Sequence, residues 1–227
     1  DSGSASMICL ACSLVVMLNL PHLAFERIPL FYGLNSFSLL RPALFQYLHV
    51  LRDALLDFKS SGKFVVSYAN LYTQNAYYVA SVSDEIMLNP VGAVDFRGLS
   101  SVILFYKDML KKLDIDMRIF YAGKFKGATE PYRLEKLSDE NRLQIREYLS
   151  AMYDEMISDI SAGRNIPEAE LRKLADNFAG QSAQSALDAR LIDRIAYEDE
   201  AFAWIKSKIG LGKKEKLNRV GIEDYYD

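Results

Sequence analysis

The residues best suited to chemistry lie in one short stretch, 123–131, which reads Gly-Lys-Phe-Lys-Gly-Ala-Thr-Glu-Pro. It follows the run 117–121, which we predict to be a strand, and open α/β sheets place their binding residues just after strands. If the stretch folds over a sheet, one ammonium group is desolvated, and burial lowers the pKa of a lysine as a general base requires. Lys126 is therefore the candidate base. Taken without other information, a surface loop with two solvated lysines is the simpler interpretation.

Other catalytic arrangements have less support. The spacing of Gly123 and Lys126 does not match a phosphate-binding loop, in which Gly-Lys-Ser/Thr follows a glycine and four further residues. Asp95 and Glu130 could form an acid pair, although Glu130 before Pro131 equally begins a helix. Several serines lie near predicted strand ends, but none is in a Gly-x-Ser-x-Gly turn and none has a histidine nearby in the predicted core. We interpret these serines as caps and turns: Ser67, Ser81, Ser83, Ser100 and Ser101.

Metal and cofactor chemistry is not expected. The two cysteines, Cys9 and Cys12, form a single C-x-x-C pair, without the second pair that a zinc site needs. The two histidines, His22 and His49, are scattered. With 27 basic and 30 acidic residues the net charge is −3. Because no basic face dominates, nucleic acid is not an expected partner.

The 227 residues are enough for one sizeable α/β domain. Residues 1–43 show neither a helical nor a strand period and are not assigned to a fold. Within them, the apolar run Met7–Leu20 is too short to cross a bilayer, which takes about 20 residues, and lacks a preceding basic segment. The predicted domain covers 44–211, and we predict 212–227 to be a linker or a cut end.

Hydrophobic periodicity predicts alternating helices and strands from Leu44 onward. Leu48, Leu51, Leu55 and Phe58 mark an amphipathic helix. The next predicted elements are a strand over 64–68, a helix over 75–83, a strand over 85–88 stopped by Asn89-Pro90, a turn-rich link over 92–98, a helix over 102–113 and a strand over 117–121. This order favours a parallel sheet with right-handed crossovers.

The second half of the chain is predicted to be mainly helical. Ser138 is a candidate N-cap for a helix to Arg164, and Pro167 opens a helix that ends at Asn177. A short helix over 182–189, a strand over 191–195 and a helix over 198–209 follow. The fold class predicted from these elements is α/β with additional C-terminal helices.

Residues from about Leu51 to Leu211 resemble the signal peptide peptidase A family of membrane-bound serine proteases. They are most similar to the N-terminal repeat of its long, two-repeat type. The motifs that carry the resemblance stand in family order: Leu51-Arg52-Asp53-Ala54-Leu55, Gly62-Lys63, Tyr77-Tyr78-Val79-Ala80-Ser81, Asp84-Glu85-Ile86, Leu88-Asn89-Pro90, Gly98-Leu99, Phe105-Tyr106-Lys107, Gly123-Lys124-Phe125-Lys126, Glu130-Pro131, Ala186-Leu187 and Leu191-Ile192-Asp193. The resemblance implies a ClpP/crotonase-like fold of stacked strand-strand-helix units, with active-site groups between repeats.

The resemblance also implies a Ser–Lys dyad in place of Ser-His-Asp. Lys126 matches the family's base in the segment Gly-x-x-Lys-x-Ala-x-Glu-Pro. The residue after this lysine is often serine in the family and is Gly127 here. Gln74 stands where the catalytic repeat has its nucleophilic serine, as in long-type N-terminal repeats. The serine is therefore expected on a C-terminal repeat of the same protein.

The implied function is an endopeptidase that cleaves remnant signal peptides and forms a homo-oligomer. Its implied location is the bacterial inner membrane, with the catalytic domain facing the periplasm. This fragment alone is expected to be inactive. Two alternatives stay open. One is a catalytically inactive scaffold of the same fold, because Gln74 replaces the serine and Gly127 follows Lys126. The other is a crotonase-like acyl-CoA enzyme, since a fold does not fix its chemistry.

Overall fold

The computed structural model describes the backbone of residues 36–212 and 214–221, and the side chains from residue 45 onward. The predictions for Cys9, Cys12, His22 and the run 7–20 lie outside the described residues. The elements are α1 (Ser36–Ser60), β1 (Val66–Tyr72), α2 (Gln74–Ala80), β2 (Glu85–Val94), α3 (Lys107–Lys112), a 3₁₀ turn (Gly127–Thr129), α4 (Glu130–Arg133), α5 (Asp139–Arg164), α6 (Glu168–Asp176), α7 (Ala183–Asp188), β3 (Arg194–Ile195) and α8 (Glu198–Lys208).

The chain divides into two units. Unit 1 comprises the described residues up to Arg97 and from Ile157 onward, and unit 2 comprises Gly98–Met156. Within the described part of unit 1 the strands form one sheet in the order β1-β2-β3, and both pairings are parallel. The α/β class and the parallel pairing are thus confirmed. The stacked ClpP/crotonase-like arrangement and the domain boundaries at 43 and 211 stay predictions.

The second strand continues past Pro90 to Val94, where the sequence predicted a stop. Its register with β1 shifts within this segment, and residues 89–92 lie outside the ladder. A Cβ on Gly92 would lie 2.4 Å from the carbonyl oxygen of Asn70, so only glycine lets β2 approach β1 this closely. The bulge accommodates the proline, whose missing N–H would otherwise remove a ladder hydrogen bond.

Asp193 joins the third strand to the rest of unit 1. Its Oδ2 accepts a hydrogen bond from the Ile86 N–H at 2.8 Å, and its own N–H donates to the Ile86 carbonyl at 2.9 Å. Arg164, at the end of α5, donates to both carboxylate oxygens of Asp193 at 2.7 and 2.9 Å. A bidentate pair of this kind fixes orientation as well as distance. The strand predicted over 191–195 is confirmed only for its last two residues, 194–195.

The core of unit 1 lies between the strands and their helices. Side chains of β1 and β2 pack against α8 in a buried cluster of Val66, Tyr68, Met87, Ala196, Ala201, Ile205 and Leu217. In α2, Tyr77 is fully buried, and its hydroxyl donates to the Leu191 carbonyl at 2.8 Å. Burying these apolar surfaces supplies the main stabilisation of the sheet.

Unit 2 corrects two predictions. The helix expected over 102–113 is reduced to Lys107–Lys112, and the strand expected over 117–121 does not form. Within residues 98–155, all of which the structure describes, Glu130 is the only buried residue. An apolar stripe stabilises a helix or strand only by packing on a core, and none is available in this unit. The large side chains concerned are exposed: Val102, Leu104, Met109, Leu113, Ile115, Met117 and Phe120.

The remaining helices match their predictions. The long helix is α5, and the Ser138 hydroxyl caps it by accepting a hydrogen bond from the Asn141 N–H at 3.2 Å. The predicted helices over 167–177, 182–189 and 198–209 correspond to α6, α7 and α8 within a few residues. The first helix begins earlier than predicted, at Ser36.

Candidate functional site

The predicted base, Lys126, lies on a loop of unit 2. The chain turns at Gly123, whose φ of +95° is the left-handed conformation that favours glycine. Lys126 directly precedes the 3₁₀ turn at 127–129. Its side chain and that of Lys124 are both exposed in this chain. Because the segment before the loop is irregular, the predicted placement of the stretch behind a sheet strand is wrong.

A carboxylate holds the C-terminal side of this loop. Glu130 is 1 % exposed and accepts three hydrogen bonds. One comes from the Ser138 N–H at 3.1 Å, one from the Ser138 hydroxyl, and one from Nδ2 of Asn141 at 3.1 Å. The Arg133 guanidinium lies 3.8 Å from Oε1 of Glu130. These contacts join the start of α4 to the start of α5.

The protonation state of Glu130 follows from these neighbours. Burial by itself would raise the pKa of Glu130, because desolvation disfavours the charged form. The hydrogen bonds from Ser138 and Asn141, with the charge of Arg133, outweigh burial and hold the pKa of Glu130 below its ordinary value of 4.5. Glu130 is therefore an ionised structural anchor at neutral pH, rather than a proton donor. The prediction that it begins a helix is confirmed, since it is the first residue of α4.

Asn141 packs directly against Gly127, the residue after Lys126. A Cβ on Gly127 would lie 2.1 Å from Nδ2, 2.3 Å from Cγ and 2.6 Å from Oδ1 of Asn141. Real Cβ contacts are never this short, so the amide of Asn141 fills the space of a side chain at position 127. Sequence reasoning did not find Asn141 as a site residue. Its one local signal was the three-residue spacing from the N-cap Ser138.

Gln74 lies in unit 1, at the turn from β1 into α2. It is the first residue of α2, and Thr73 caps the helix by accepting a hydrogen bond from the Ala76 N–H at 3.3 Å. The Oε1 of Gln74 accepts a hydrogen bond from the Arg97 N–H at 3.1 Å. The position that the resemblance gives to a nucleophile is thus a strand-to-helix turn, and its side chain ties down the chain after β2.

The candidate serines have structural partners. The hydroxyls of Ser67 and Ser83 are 2.6 Å apart and buried. The Ser81 hydroxyl lies at the end of α2, where it donates to the Tyr78 carbonyl at 2.8 Å. Ser100 and Ser101 are exposed. Ser81 caps the end of α2 and Ser83 lies in the turn that follows, as predicted, whereas Ser67 lies within β1 and is neither a cap nor a turn residue.

A groove of about 460 Å³ opens at the carboxyl ends of β1 and β2. Its walls are Leu71, Ala93, Val94, Asp95, Phe96, Arg97, Phe178 and Gln181. Asp95 is ion-paired with Arg97 here, and Glu130 has its own hydrogen-bond partners within unit 2; the acid pair of Asp95 with Glu130 stays a prediction. Open parallel sheets commonly place ligand sites at this end of the strands.

Two further properties concern the described residues as a whole. Within them, no three His, Cys, Asp or Glu side chains lie close enough together to hold a metal ion. His49 instead contacts the Tyr78 hydroxyl through Nδ1 at 2.8 Å and lies 3.5 Å from Oδ2 of Asp159. In the same part of the chain, every helix is too short or too polar to span a bilayer.

The parallel sheet of unit 1 and the helices around it make this chain an α/β protein. Comparison with known protein families identifies the family. Residues 57–212, more than half of the chain, match the model of peptidase family S49. The chain therefore belongs to peptidase family S49, and the resemblance seen in its motifs to signal peptide peptidase A is confirmed.

Individual relatives agree with this assignment. The chain is 32% identical over 189 residues to "Protease 4" of Haemophilus influenzae, a match that covers 78% of the chain and 30% of that protein. It is 28% identical to "Serine protease SPPA, chloroplastic" of Arabidopsis thaliana, over 77% of the chain and 26% of the relative. A "Putative signal peptide peptidase SppA" of Enterococcus faecium is 25% identical, over 70% of the chain and 44% of its own length. The chain thus spans less than half the length of these relatives.

Proposed function

We propose that this chain is one repeat of a signal-peptide-peptidase-type serine endopeptidase, and that it supplies the general base while another repeat supplies the serine. The observation that carries the proposal is the residue at the turn from β1 into α2. This turn holds Gln74, tied to the Arg97 N–H at 3.1 Å, whereas the lysine segment of the family is complete from Gly123 to Pro131. A base without a nucleophile requires a partner repeat.

The proposed reaction follows the Ser–Lys form of acyl transfer. The serine hydroxyl of the partner repeat attacks the scissile carbonyl, and neutral Lys126 accepts its proton. Backbone N–H groups stabilise the oxyanion. The lysine then protonates the departing amine, which leaves an acyl-enzyme ester. Water, deprotonated by the same lysine, hydrolyses this ester and regenerates the serine hydroxyl.

A lysine works as a base at neutral pH only when its ammonium form is destabilised by desolvation or by another cation. Lys126 is exposed in the isolated chain, so the proposal requires a partner to cover it. Unit 2 offers a surface for this purpose. Around Lys126 in the sequence, Phe120 is 96 % exposed and Phe125 is 58 % exposed. A partner that covered these two side chains would bury apolar surface and exclude water from Lys126.

The substrate and location are part of the same proposal. We expect the substrates to be remnant signal peptides, which are extended apolar segments, and the assembled enzyme to be a homo-oligomer at the bacterial inner membrane with its catalytic domain facing the periplasm. The Enterococcus faecium relative named "Putative signal peptide peptidase SppA" supports this substrate class. The family names a peptidase, which supports hydrolysis over acyl-CoA chemistry.

A catalytically inactive scaffold is the second candidate. Two observations favour it. Lys126 is exposed and so lacks the desolvation that a lysine base needs, and the Gln74 side chain has a structural role as acceptor of the Arg97 N–H. The two candidates differ in one measurable property. A scaffold binds its partner repeat without contributing to catalysis, whereas a base-bearing repeat loses its effect when Lys126 is removed.

The test is a reconstitution of the active site. The purified chain is mixed with a serine-bearing C-terminal repeat, and hydrolysis of a fluorogenic signal-peptide substrate is measured. We expect activity only in the mixture. Lys126→Ala should abolish it, with a loss of about a hundredfold or more, as is usual for a general base. Lys124→Ala is the matched control, since Lys124 is equally exposed and two residues away. An inactive but stable complex would favour the scaffold.

A further inference from the structure

We propose that Asn141 is a positioning residue for Lys126: its amide takes the place of the side chain that Gly127 lacks and fixes the backbone of the loop. The catalytic meaning of this inference rests on the proposed role of Lys126. The structural part does not, because it concerns the packing of the described residues alone.

The first support is the close approach of Asn141 to Gly127. The nearest amide atom would lie 2.1 Å from a Cβ at position 127, so any other residue there displaces the Asn141 side chain. Gly127 also starts the 3₁₀ turn that follows Lys126. The amide therefore packs against the backbone one residue from the proposed base.

The second support is that Asn141 is itself held. Its Nδ2 donates to Oε2 of Glu130 at 3.1 Å, and its backbone N–H donates to the hydroxyl of Ser138 at 3.2 Å. Glu130 is buried and accepts two further hydrogen bonds from Ser138. Moving the Asn141 amide would leave a buried carboxylate short of a donor, which is costly. The contact chain thus runs from Glu130 through Asn141 to Gly127.

The third support is that asparagine has the hydrogen-bonding functions of the serine it would replace. Members of the family often have a serine directly after the lysine, and its hydroxyl can donate and accept hydrogen bonds. An asparagine amide also carries both functions. Here one donor is used by Glu130, and Oδ1 lies 2.6 Å from the Cβ position of residue 127. Asn141 thus brings a polar group from α5 to the place where a serine side chain would begin.

The structural arm of the test is a double-mutant cycle of Gly127→Ser and Asn141→Ala. Amide hydrogen exchange is followed in peptides covering 123–141. We expect Gly127→Ser to accelerate exchange by roughly tenfold or more, because the new side chain displaces Asn141 from Glu130. In the Asn141→Ala background the same substitution should have little effect. Equal effects in both backgrounds would overturn the inference.

Two controls keep this arm interpretable. Arg142→Ala changes an exposed neighbour on α5 and should leave exchange in the 123–141 peptides unchanged. Peptides from β1 and β2 report whether the sheet of unit 1 stays folded in every variant. If all variants lose protection in the sheet, the milder Asn141→Ser replaces Asn141→Ala in the cycle, and the same comparison decides the outcome.

The functional arm uses the reconstituted complex with the serine-bearing repeat. We expect Asn141→Ala to lower kcat and change its pH profile with little change in KM, because the loop no longer holds Lys126. The double variant Gly127→Ser/Asn141→Ala should recover kcat, since the serine returns a polar side chain beside the lysine. An unchanged kcat and pH profile in Asn141→Ala would overturn the positioning role. If the wild-type complex is inactive, the proposed function fails, and the exchange cycle still decides the structural part.

Discussion

The Nη1 atom of Arg52 lies 2.9 Å from the carbonyl oxygen of Tyr78, which joins α1 to α2 through a buried guanidinium. The same side chain donates to the Ser81 hydroxyl and, through Nη2, to the carbonyl oxygen of Asp159. Arg52 is 4 % exposed. Burial lowers the pKa of Arg52, and the charge of Asp159 opposes this effect. An arginine stays charged under these conditions, so its acceptors keep a strong donor.

Replacing Arg52 should therefore destabilise unit 1 severely. Arg52→Leu leaves carbonyls of α2 and α5 and the Ser81 hydroxyl without their donor, and we expect the free energy of unfolding to fall by about 2–4 kcal/mol. Urea unfolding followed by circular dichroism measures the change. The exposed Arg142→Leu should shift it by less than about 0.5 kcal/mol. Comparable losses in both variants would mean that the buried hydrogen bonds contribute little.

Gly180 allows the loop after α6 to meet the end of β2. Its carbonyl accepts a hydrogen bond from the Val94 N–H at 2.8 Å, and a Cβ on Gly180 would lie 2.1 Å from the Val94 carbonyl oxygen. Because the clash is with backbone, a side chain cannot rotate away to relieve it. We expect Gly180→Ala to cost about 1–3 kcal/mol of unfolding free energy.

The matched control for Gly180 is Gly212→Ala. The nearest heavy atom to a Cβ on Gly212 lies 3.6 Å away, on the side chain of Glu215. An added methyl group meets only ordinary contact there, so this variant should be close to neutral. Differential scanning calorimetry compares the two unfolding temperatures. Equal shifts would show that the close approach of Gly180 to Val94 relaxes at little cost.

The elements that sequence predicted well are those whose signals are local. Ser138, Pro167 and Ser182 mark helix starts through capping and fixed φ angles, and the helices α5, α6 and α7 begin within a residue or two of them. The parallel pairing followed from the strand-helix-strand order of β1, α2 and β2. These features depend on a few neighbouring residues and need no knowledge of distant contacts.

The elements that sequence missed depend on contacts between distant segments. The continuation of β2 past Pro90 requires Gly92 to approach the carbonyl of Asn70 across the sheet. The apolar pattern over 102–121 marks residues suited to burial, but in the part of the chain that the structure describes no core lies beneath them. Lys126 was found through its motif, whereas Asn141 becomes a site residue only because the fold brings its amide to Gly127.

The buried carboxylate of Glu130 predicts a pH-dependent stability. Because its hydrogen bonds hold the pKa of Glu130 below 4.5 in the folded chain, its contribution is fully present above that pH and is lost as pH falls through the folded-state value. Glu130→Gln places an NH₂ group against a donor. We expect Glu130→Gln to lower the free energy of unfolding by about 1–3 kcal/mol near neutral pH. The difference from wild type should become smaller as the pH falls below 4.5, the ordinary pKa of a glutamate.

Urea unfolding at neutral and acidic pH tests this expectation for Glu130. Glu147→Gln is the control, since Glu147 is exposed on α5 and should change stability by less than about 0.5 kcal/mol at either pH. A gap between wild type and Glu130→Gln that is constant across the pH range would contradict the assignment of an ionised, hydrogen-bonded carboxylate.

Two buried tyrosines should determine how unit 1 loses stability at alkaline pH. Tyr72 and Tyr77 are 0 % exposed, and their hydroxyls donate to the carbonyls of Met87 at 3.1 Å and Leu191 at 2.8 Å. Burial raises the pKa of Tyr72 well above 10, with the charges of neighbouring groups adding to it. Burial likewise raises the pKa of Tyr77, against the opposing charge of Arg164.

Both folded-state values exceed the unfolded value of 10, so the stability that the neutral phenols contribute is complete below pH 10 and is lost as the pH rises toward the folded-state values. Phenolate absorbance from Tyr72 and Tyr77 should therefore appear only as the sheet unfolds. Tyr77→Phe should lower the free energy of unfolding by about 1 kcal/mol at neutral pH, because the hydrogen bond to Leu191 is missing. Its free energy of unfolding should also fall less steeply than that of wild type as the pH rises above 10. Tyr47→Phe should change neither property. If Tyr72 and Tyr77 ionise together with the exposed tyrosines while circular dichroism stays native, their phenols are accessible to water and the packing of α2 against Leu191 is looser than these distances require.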